Sequence, residues 1–180
     1  MKRLTLLRHA KSSWNDPVTR DFDRPLNDKG KRAATTIGKF IKRNGLTFDQ
    51  ILASPAVRVI ETLEHVEPAS GLSFEPQWDR KIYLASSVTL MDVLRGANAE
   101  AEHVLMVGHN PGLEDLIFDM VPDDGSSEAR GTVEIKYPTA ALAELSLDIE
   151  NWSDIKDGCA KLNRFTRPRD LDPELGPDYN

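Results

Sequence analysis

The stretch Leu4-Thr5-Leu6-Leu7-Arg8-His9-Ala10 decides the predicted fold, because a short apolar run ends abruptly in an arginine and a histidine. Such a run predicts a buried strand of a sheet. A guanidinium and an imidazole pack poorly at the point where a core strand reaches the surface. They are well suited to binding an anion beside a nucleophile.

Two further strand ends carry the same kinds of side chain. Val104-Leu105-Met106-Val107-Gly108-His109-Asn110 predicts a strand, then a histidine and a helix start. Ile51-Leu52-Ala53-Ser54-Pro55 predicts a strand and then a helix, with Ser54 as its N-cap and Pro55 at its first position. Arg58 would lie in the first turn of that helix. Together the three strand ends predict a phosphate site made of Arg8, His9, Arg58 and His109.

Predicted helices and strands alternate along the rest of the chain. Helices are expected from about Asp28 (capped by Asn27) to Asn44-Gly45, from Pro55 to about His65, over Ser87–Arg95 and after Asn110-Pro111, where Asn110 would be the cap. Strands are expected over Asp49–Ala53, Ser73–Gln77, His103–Val107, Thr132–Tyr137, Ala141–Ile149 and Cys159–Phe165. A turn is expected over Pro68–Gly71, a loop over Pro122–Gly131 and an extended tail from Arg167.

This order predicts an α/β fold, with a mostly parallel sheet, helices on both faces and an antiparallel edge. Ligands of such sheets bind beyond the carboxyl ends of the strands. His9 and His109 both follow such ends, so their two strands are expected to be neighbours.

The length, composition and charge of the chain exclude several classes of protein. The 180 residues, 39% hydrophobic and 29% charged, predict one globular domain over 1–180. The apolar runs are too short for a membrane helix or a signal peptide, so we expect a cytoplasmic protein without a membrane partner. The net charge of −6 argues against a nucleic-acid partner. The one cysteine, Cys159, excludes an internal disulfide and favours a structural thiol over a reactive one.

The two strand-end histidines have competing interpretations. A single histidine after a strand is often incidental, but two at equivalent positions favour function. A metal site would need a third ligand, and the sequence has no HxH, HxxxH or HExxH spacing. His65 and His103 are expected at the surface or at a boundary. We therefore expect no metal and no cofactor.

The residue types indicate phosphoryl transfer. A neutral His9 can attack phosphorus and form a phosphohistidine. Arg8 and Arg58 are expected to keep that imidazole neutral and to donate to the phosphoryl oxygens. The start of the helix that carries Arg58 would add backbone N–H groups, and His109 would donate to another oxygen.

Four ordered motifs resemble the histidine phosphatase superfamily, which includes the cofactor-dependent phosphoglycerate mutases. They are Arg8-His9-Ala10 with Trp14-Asn15, Pro25-Leu26-Asn27-Asp28-Lys29-Gly30, Ser54-Pro55-Ala56-Val57-Arg58 with Thr62, and Gly108-His109-Asn110. The short chain and Asp23-Arg24-Pro25-Leu26 resemble SixA-type phosphohistidine phosphatases.

The resemblance implies a phosphoglycerate mutase-like three-layer α/β/α sandwich. It implies that His9 is the phosphorylated nucleophile and that Arg8, Arg58 and His109 hold the phosphoryl group. It further implies that Asn15 contacts phosphate and that Arg24 helps to bind substrate.

Two departures from the family pattern stand out. Ala10 replaces the usual glycine and would be strained if the backbone there needed a positive φ. The region Asp79–Ser86 has no glutamate where the mutases and many phosphoester hydrolases carry their acid, and only Asp79 could substitute. The leaving group of a phosphoramidate can be protonated on its own ring nitrogen. The missing glutamate therefore favours a P–N substrate, or an activated ester, over a plain alkyl phosphate, and it disfavours mutase activity.

The sequence thus predicts a metal-independent phosphatase, monomeric and acting on phosphohistidine in a protein. A hydrolase of small phosphorylated molecules, with an acid from elsewhere, stays open as an alternative. A non-catalytic module that binds phosphoproteins also stays open, although such a module would not need a nucleophile.

Overall fold

The computed structural model describes residues 1–14 and 20–177 of the chain. Its strands are β1 (Lys2–Arg8), β2 (Gln50–Ala53), β3 (Gln77–Trp78), β4 (His103–Gly108), β5 (Leu142–Leu147) and β6 (Ala160–Thr166). Its α-helices are α1 (Asp28–Arg43), α2 (Val57–Ser70), α3 (Ser87–Arg95), α4 (Gly112–Met120), α5 (Glu128–Ile135) and α6 (Pro168–Leu171). Short 3₁₀ turns span Asp21–Asp23, Arg80–Ile82, Trp152–Asp154 and Pro173–Leu175.

The strands form one sheet in the order β3-β2-β4-β1-β5-β6. The first four in this order are mutually parallel, whereas β5 and β6 are antiparallel to their neighbours. Arg8 lies opposite Gly108 in the register of β1 with β4. His9 and His109 therefore leave the sheet side by side, as the sequence predicts.

Helices cover both faces of the sheet and confirm the predicted three-layer α/β/α fold. Successive residues of a strand point to opposite faces. Leu6 of β1 packs into the core beneath α3, α4 and α5. Its neighbour Leu7 packs into the core beneath α1 and α2. The long apolar runs of β1 and β4 follow from this burial on two sides.

The boundaries of α1 match the sequence prediction. The side chain of Asn27 accepts a hydrogen bond from the Gly30 N–H at 2.8 Å, which satisfies one of the free donors at the helix start. At the other end, Asn44 is the C-cap and Gly45 has a φ of 63°.

The strand predicted over Thr132–Tyr137 is wrong, and the loop predicted over Pro122–Gly131 ends earlier, at Ser127. The structure places α5 over Glu128–Ile135, where Ser127 Oγ accepts from the Arg130 N–H at 3.1 Å. An ion pair between Arg130 and Glu134, one turn apart, supports the helix. The alternating apolar residues misled the prediction, because Val133 is buried but Ile135 is 83% exposed.

Three boundaries also need correction. Helix α2 continues to Ser70 through the predicted turn, and it ends where Gly71 adopts a φ of 73°. Strand β3 is only Gln77–Trp78. The predicted extended tail contains α6 and the 3₁₀ turn at Pro173–Leu175, because Leu175 is buried against the α1 side of the core.

No helix in the described part of the chain is long and apolar enough to cross a membrane. The cytoplasmic location stays a prediction.

Candidate active site

His9 lies directly after β1 and is 6% exposed. Its Nδ1 lies 2.7 Å from the carbonyl oxygen of Ala10. A carbonyl oxygen only accepts hydrogen bonds, so Nδ1 must carry the proton. In the neutral ring the lone pair is then on Nε2, which is the form a nucleophile requires.

The pKa of His9 is lowered well below its ordinary value of 6.5, mainly by burial. The Ala10 carbonyl opposes this shift, and the nearby His109, Arg8 and Arg58 add to it. The sequence predicts that the two arginines keep His9 neutral, but they make only a minor contribution to its lowered pKa. Loss of hydration on burial contributes more.

His109 lies directly after β4, with its ring centroid 5.3 Å from that of His9. Arg58 Nη2 donates to His109 Nδ1 at 3.3 Å, so Nδ1 is the acceptor of this ring. Nε2 must then donate to Ser54 Oγ at 2.8 Å. Burial, followed by the charge of Arg58, lowers the pKa of His109 to about 3.

Ser54 is not the N-cap that the sequence predicts. Helix α2 begins at Val57, after Ala56, and Pro55 precedes it. The Ser54 hydroxyl instead orients His109 and accepts weakly from the Ala56 N–H at 3.3 Å. Arg58 is the second residue of α2, as expected for the first turn.

Arg58 is 2% exposed and its guanidinium makes three contacts. Besides His109, it donates to the Asp21 backbone oxygen at 2.7 Å and to the Asp21 carboxylate at 3.1 Å. An anion of the chain itself thus lies against the predicted phosphate-binding fork.

Arg8 is held from the opposite side of the site. Its Nη1 donates to the Tyr137 carbonyl oxygen at 2.9 Å. Asn110 is not a helix cap as predicted, since its Nδ2 donates to the same oxygen at 3.1 Å. The Tyr137 hydroxyl donates to the Leu6 carbonyl at 2.7 Å, which fixes this segment to β1.

Three buried guanidinium N–H groups have no hydrogen-bond partner among the described residues. They are Nε of Arg8, Nη1 of Arg24 and Nε of Arg58. Buried donors are normally paired, and leaving one unpaired is costly. Three of them close to two neutral histidines are typical of a site for an oxyanion.

The structure links Arg24 to the site and leaves Asn15 outside the described residues. Arg24 is buried, its Nε donates to Asp21 Oδ1 at 3.1 Å, and its guanidinium lies 3.3 Å above the ring of Trp14. Arg24 thus reaches Arg58 through their shared carboxylate.

Sequence reasoning missed Asp21 and Tyr83. The Tyr83 hydroxyl donates to the Asp21 carboxylate, and its ring packs edge-on against His109 at 5.4 Å. Burial would raise the pKa of Asp21, but Tyr83, Arg58 and Arg24 outweigh it and lower that pKa. No local signal marks Tyr83, since it comes from the connection after β3.

Thr62 shows why two of the motifs occur together. Its hydroxyl donates to the Arg58 carbonyl oxygen at 2.6 Å and accepts from the Ala10 N–H at 2.9 Å. It therefore fixes the helix that carries Arg58 to the backbone after His9.

The two departures from the family pattern have structural outcomes. Ala10 is not strained, because the described non-glycine residues with positive φ are Leu84 and Ala140. Asp79 caps the turn at Arg80–Ile82, where its carboxylate accepts from the Lys81 N–H at 2.9 Å. That role gives it no contact with the histidines.

No group of three or more His, Cys, Asp or Glu side chains within the described ranges could hold a metal ion. Cys159 is buried. His103, expected at the surface or at a boundary, is buried and its Nε2 is 2.7 Å from Thr5 Oγ1.

The chain is similar to proteins of one family. The model of the histidine phosphatase superfamily (branch 1) matches residues 4–79. The uncharacterised protein MT1313 of Mycobacterium tuberculosis is 30% identical over 164 residues, which cover 91% of this chain and 100% of that protein.

Solved structures of SixA proteins are also similar to this chain. A SixA protein from Agrobacterium tumefaciens matches with a TM-score of 0.78 at 30% identity, over 93% of this chain and 98% of that one. The protein histidine phosphatase SixA complexed with tungstate shares the fold, with a TM-score of 0.71 at 20% identity over 94% of this chain and 99% of that one. The chain belongs to the histidine phosphatase superfamily and is of the SixA type.

Proposed function

We propose that this phosphatase acts through a phosphohistidine formed on His9 and removes phosphoryl groups from phosphohistidine in a protein. The observation that carries the proposal is the hydrogen bond from His9 Nδ1 to the Ala10 carbonyl oxygen. It leaves Nε2 free to attack, and burial keeps the ring neutral.

The arginines supply the charge that the reaction needs. Arg8 and Arg58 retain unpaired buried N–H groups beside the two histidines. Fixed donors of this kind neutralise the transferring phosphoryl group without a metal. Arg24 contributes a third cation through Asp21.

A bound phosphoryl group would displace Asp21 from Arg58. Asp21 accepts from the guanidinium through its backbone carbonyl and its carboxylate, and its side chain is 36% exposed. A phosphoryl dianion carries more charge and would compete for the same donors. Its charge would also raise the pKa of the neighbouring His109 and favour a proton on Nδ1.

The leaving group supports a P–N substrate. Asp79 is occupied as a cap, and Asp21 has a lowered pKa and is therefore a carboxylate without a proton to give. Phosphohistidine can accept a proton on its own ring. The P–N bond to the substrate imidazole breaks as the bond to His9 Nε2 forms. Water then attacks phosphorus, and the bond to His9 breaks.

The test is a side-by-side turnover assay with rapid quenching. One arm uses a labelled phosphohistidine protein, and the other uses a panel of small phosphoesters, each with and without EDTA. We expect an alkali-stable, acid-labile label on the enzyme, faster turnover of phosphohistidine and no effect of EDTA. Absence of an enzyme-bound label would refute the covalent route, whereas faster turnover of the esters would refute phosphohistidine as the preferred substrate.

A further inference from the structure

Among the described residues, six cationic side chains line a cavity of about 340 Å³, and Arg8 is one of them. We call it the basic pocket, and its cations are Arg8, Lys11, Lys29, Lys136, Arg167 and Arg169. None of the described residues that line it is acidic. In a chain with a net charge of −6, this is a local reversal of sign. A cavity lined by one sign of charge concentrates ligands of the opposite sign.

The wall of the basic pocket is formed by segments that the fold holds in place. Lys29, in the first turn of α1, donates from Nζ to the Gly176 carbonyl oxygen at 2.6 Å. Arg32, one turn further along, pairs with Asp172 and Glu174 at 2.5 and 2.7 Å. These contacts fix the C-terminal segment against α1, so the pocket does not need a ligand to shape it.

The cations of the basic pocket are not all neutralised. Arg167 is paired with Asp170 at 2.8 Å. Lys136 and Arg169 make no ion pair with the described residues. Lys136 is exposed and Arg169 is half-buried, so both can meet a ligand from solvent.

Arg8 belongs both to the basic pocket and to the site around His9. It lines the pocket, and its charge lowers the pKa of His9 and of His109. A phosphoryl group on His9 and a group in the basic pocket would thus both be within the influence of one guanidinium.

We infer that the basic pocket binds a second anionic group of the substrate while His9 takes the phosphoryl group. This inference rests on the proposed function and narrows its substrate class. The preferred substrate carries a carboxylate or phosphate near the scissile phosphoryl group. In a phosphohistidine protein, acidic side chains beside the phosphorylated histidine would supply it.

The test compares matched substrates that differ only in the second charge. One pair is a phosphohistidine peptide with flanking glutamates and the same peptide with glutamines. A second pair is a small aryl phosphate with a carboxylate and its carboxamide analogue. We expect kcat/KM to be about tenfold higher for the acidic member at low salt, and this preference to fall with ionic strength. A preference confined to one pair would identify peptide or small molecule as the source of the anion.

The double variant Lys136→Glu with Arg169→Glu reverses two charges of the pocket. It is expected to lower the acidic-to-neutral ratio of kcat/KM by roughly tenfold, because the second anionic group would meet two carboxylates in place of two cations. The matched control is the double variant Lys39→Glu with Lys156→Glu, at two exposed lysines that do not line the pocket. It makes the same charge change away from the pocket and should leave the ratio unchanged.

Failure of this inference differs from failure of the proposed function. Suppose that the enzyme turns over every substrate with an acidic-to-neutral ratio of kcat/KM near one, and that the double variant of Lys136 and Arg169 does not change this ratio. That result would refute the proposed role of the basic pocket alone. An equal fall in the ratio for Lys39→Glu with Lys156→Glu would show an effect of net charge and would also refute it. Absence of turnover on every substrate would instead refute the proposed function.

Discussion

The hydrogen bond from His9 Nδ1 to the Ala10 carbonyl oxygen leaves one imidazole nitrogen with a lone pair. A backbone acceptor fixes the tautomer without adding a charge, so burial alone can keep the ring neutral. A carboxylate in that position would stabilise the imidazolium and oppose attack on phosphorus.

His9→Ala is therefore expected to lower turnover by at least about four orders of magnitude, because, of the two described site histidines, only His9 keeps a ring nitrogen free of hydrogen bonds. The measurement is initial rate on a phosphohistidine protein, with the melting temperature as the check on folding. His65→Ala is the matched control, since His65 lies half-buried on α2 and contacts the Glu61 carbonyl. Retained activity in a well-folded His9→Ala protein would contradict the assignment.

Arg58→Lys tests the shape of the cation rather than its charge. Arg58 donates from Nη1 to the Asp21 backbone oxygen and from Nη2 to the Asp21 carboxylate and to His109, and lysine cannot reproduce that fork. Each charge-assisted hydrogen bond is worth about 1.5–3 kcal/mol, so kcat should fall by roughly one to two decades. Arg130→Lys, at a buried arginine paired with Glu134, is the control and should keep kcat. A kcat for Arg58→Lys within about twofold of wild type would contradict this role.

The contact between α1 and α2 depends on the small size of Gly38. A Cβ there would lie 2.6 Å from the Val66 carbonyl oxygen and 2.7 Å from the Ala69 Cβ. Gly38→Ala should lower the free energy of unfolding, because overpacking costs about 1–3 kcal/mol and exceeds the ~1 kcal/mol gained in helix propensity. Gly131→Ala in α5 is the control, since nothing lies within 4 Å of its Cβ. Urea unfolding should show a lower free energy of unfolding for Gly38→Ala and a higher one for Gly131→Ala. A change of the same sign in both variants would contradict the close approach of α1 and α2 at Gly38.

The elements that the sequence predicts well are those whose ends carry a chemical signal. Asn27 and Gly45 mark α1, and apolar runs mark β1 and β4. The predictions fail at α5 and in the C-terminal segment, where a few apolar residues fit a strand or a coil as well as a short helix. There a serine cap and contacts with distant residues decide the structure.

The residues of the candidate site also differ in how well the sequence predicts them. Four of its residues follow buried strands or open a helix, and the strand order brings them together. Asp21 and Tyr83 come from irregular connections whose path depends on tertiary packing. Their approach to Arg58 has no counterpart in local periodicity.

At the scale of the whole molecule, buried neutral histidines make stability depend on pH. Burial lowers the pKa of His109 to about 3 and that of His103 to about 4, and it lowers the pKa of His9 as well. An unfolded chain titrates its histidines near pH 6.5. Below that pH the unfolded state binds more protons than the folded state, so stability falls as pH falls.

For His109 the expected loss of unfolding free energy between pH 7.5 and pH 5 is about 2 kcal/mol, from ~1.4 kcal/mol per pKa unit. Aspartates such as Asp21 and Asp49, whose pKa values are lowered from 3.8, lose their stabilising charge only at more acidic pH. Urea unfolding of wild type and His109→Gln at both pH values measures the effect, and the variant should lose less stability on acidification. If both proteins have the same pH dependence, the His109 imidazole is hydrated or already charged in the folded state. The assignment of a buried His109 Nδ1 as the acceptor from Arg58 would then be wrong.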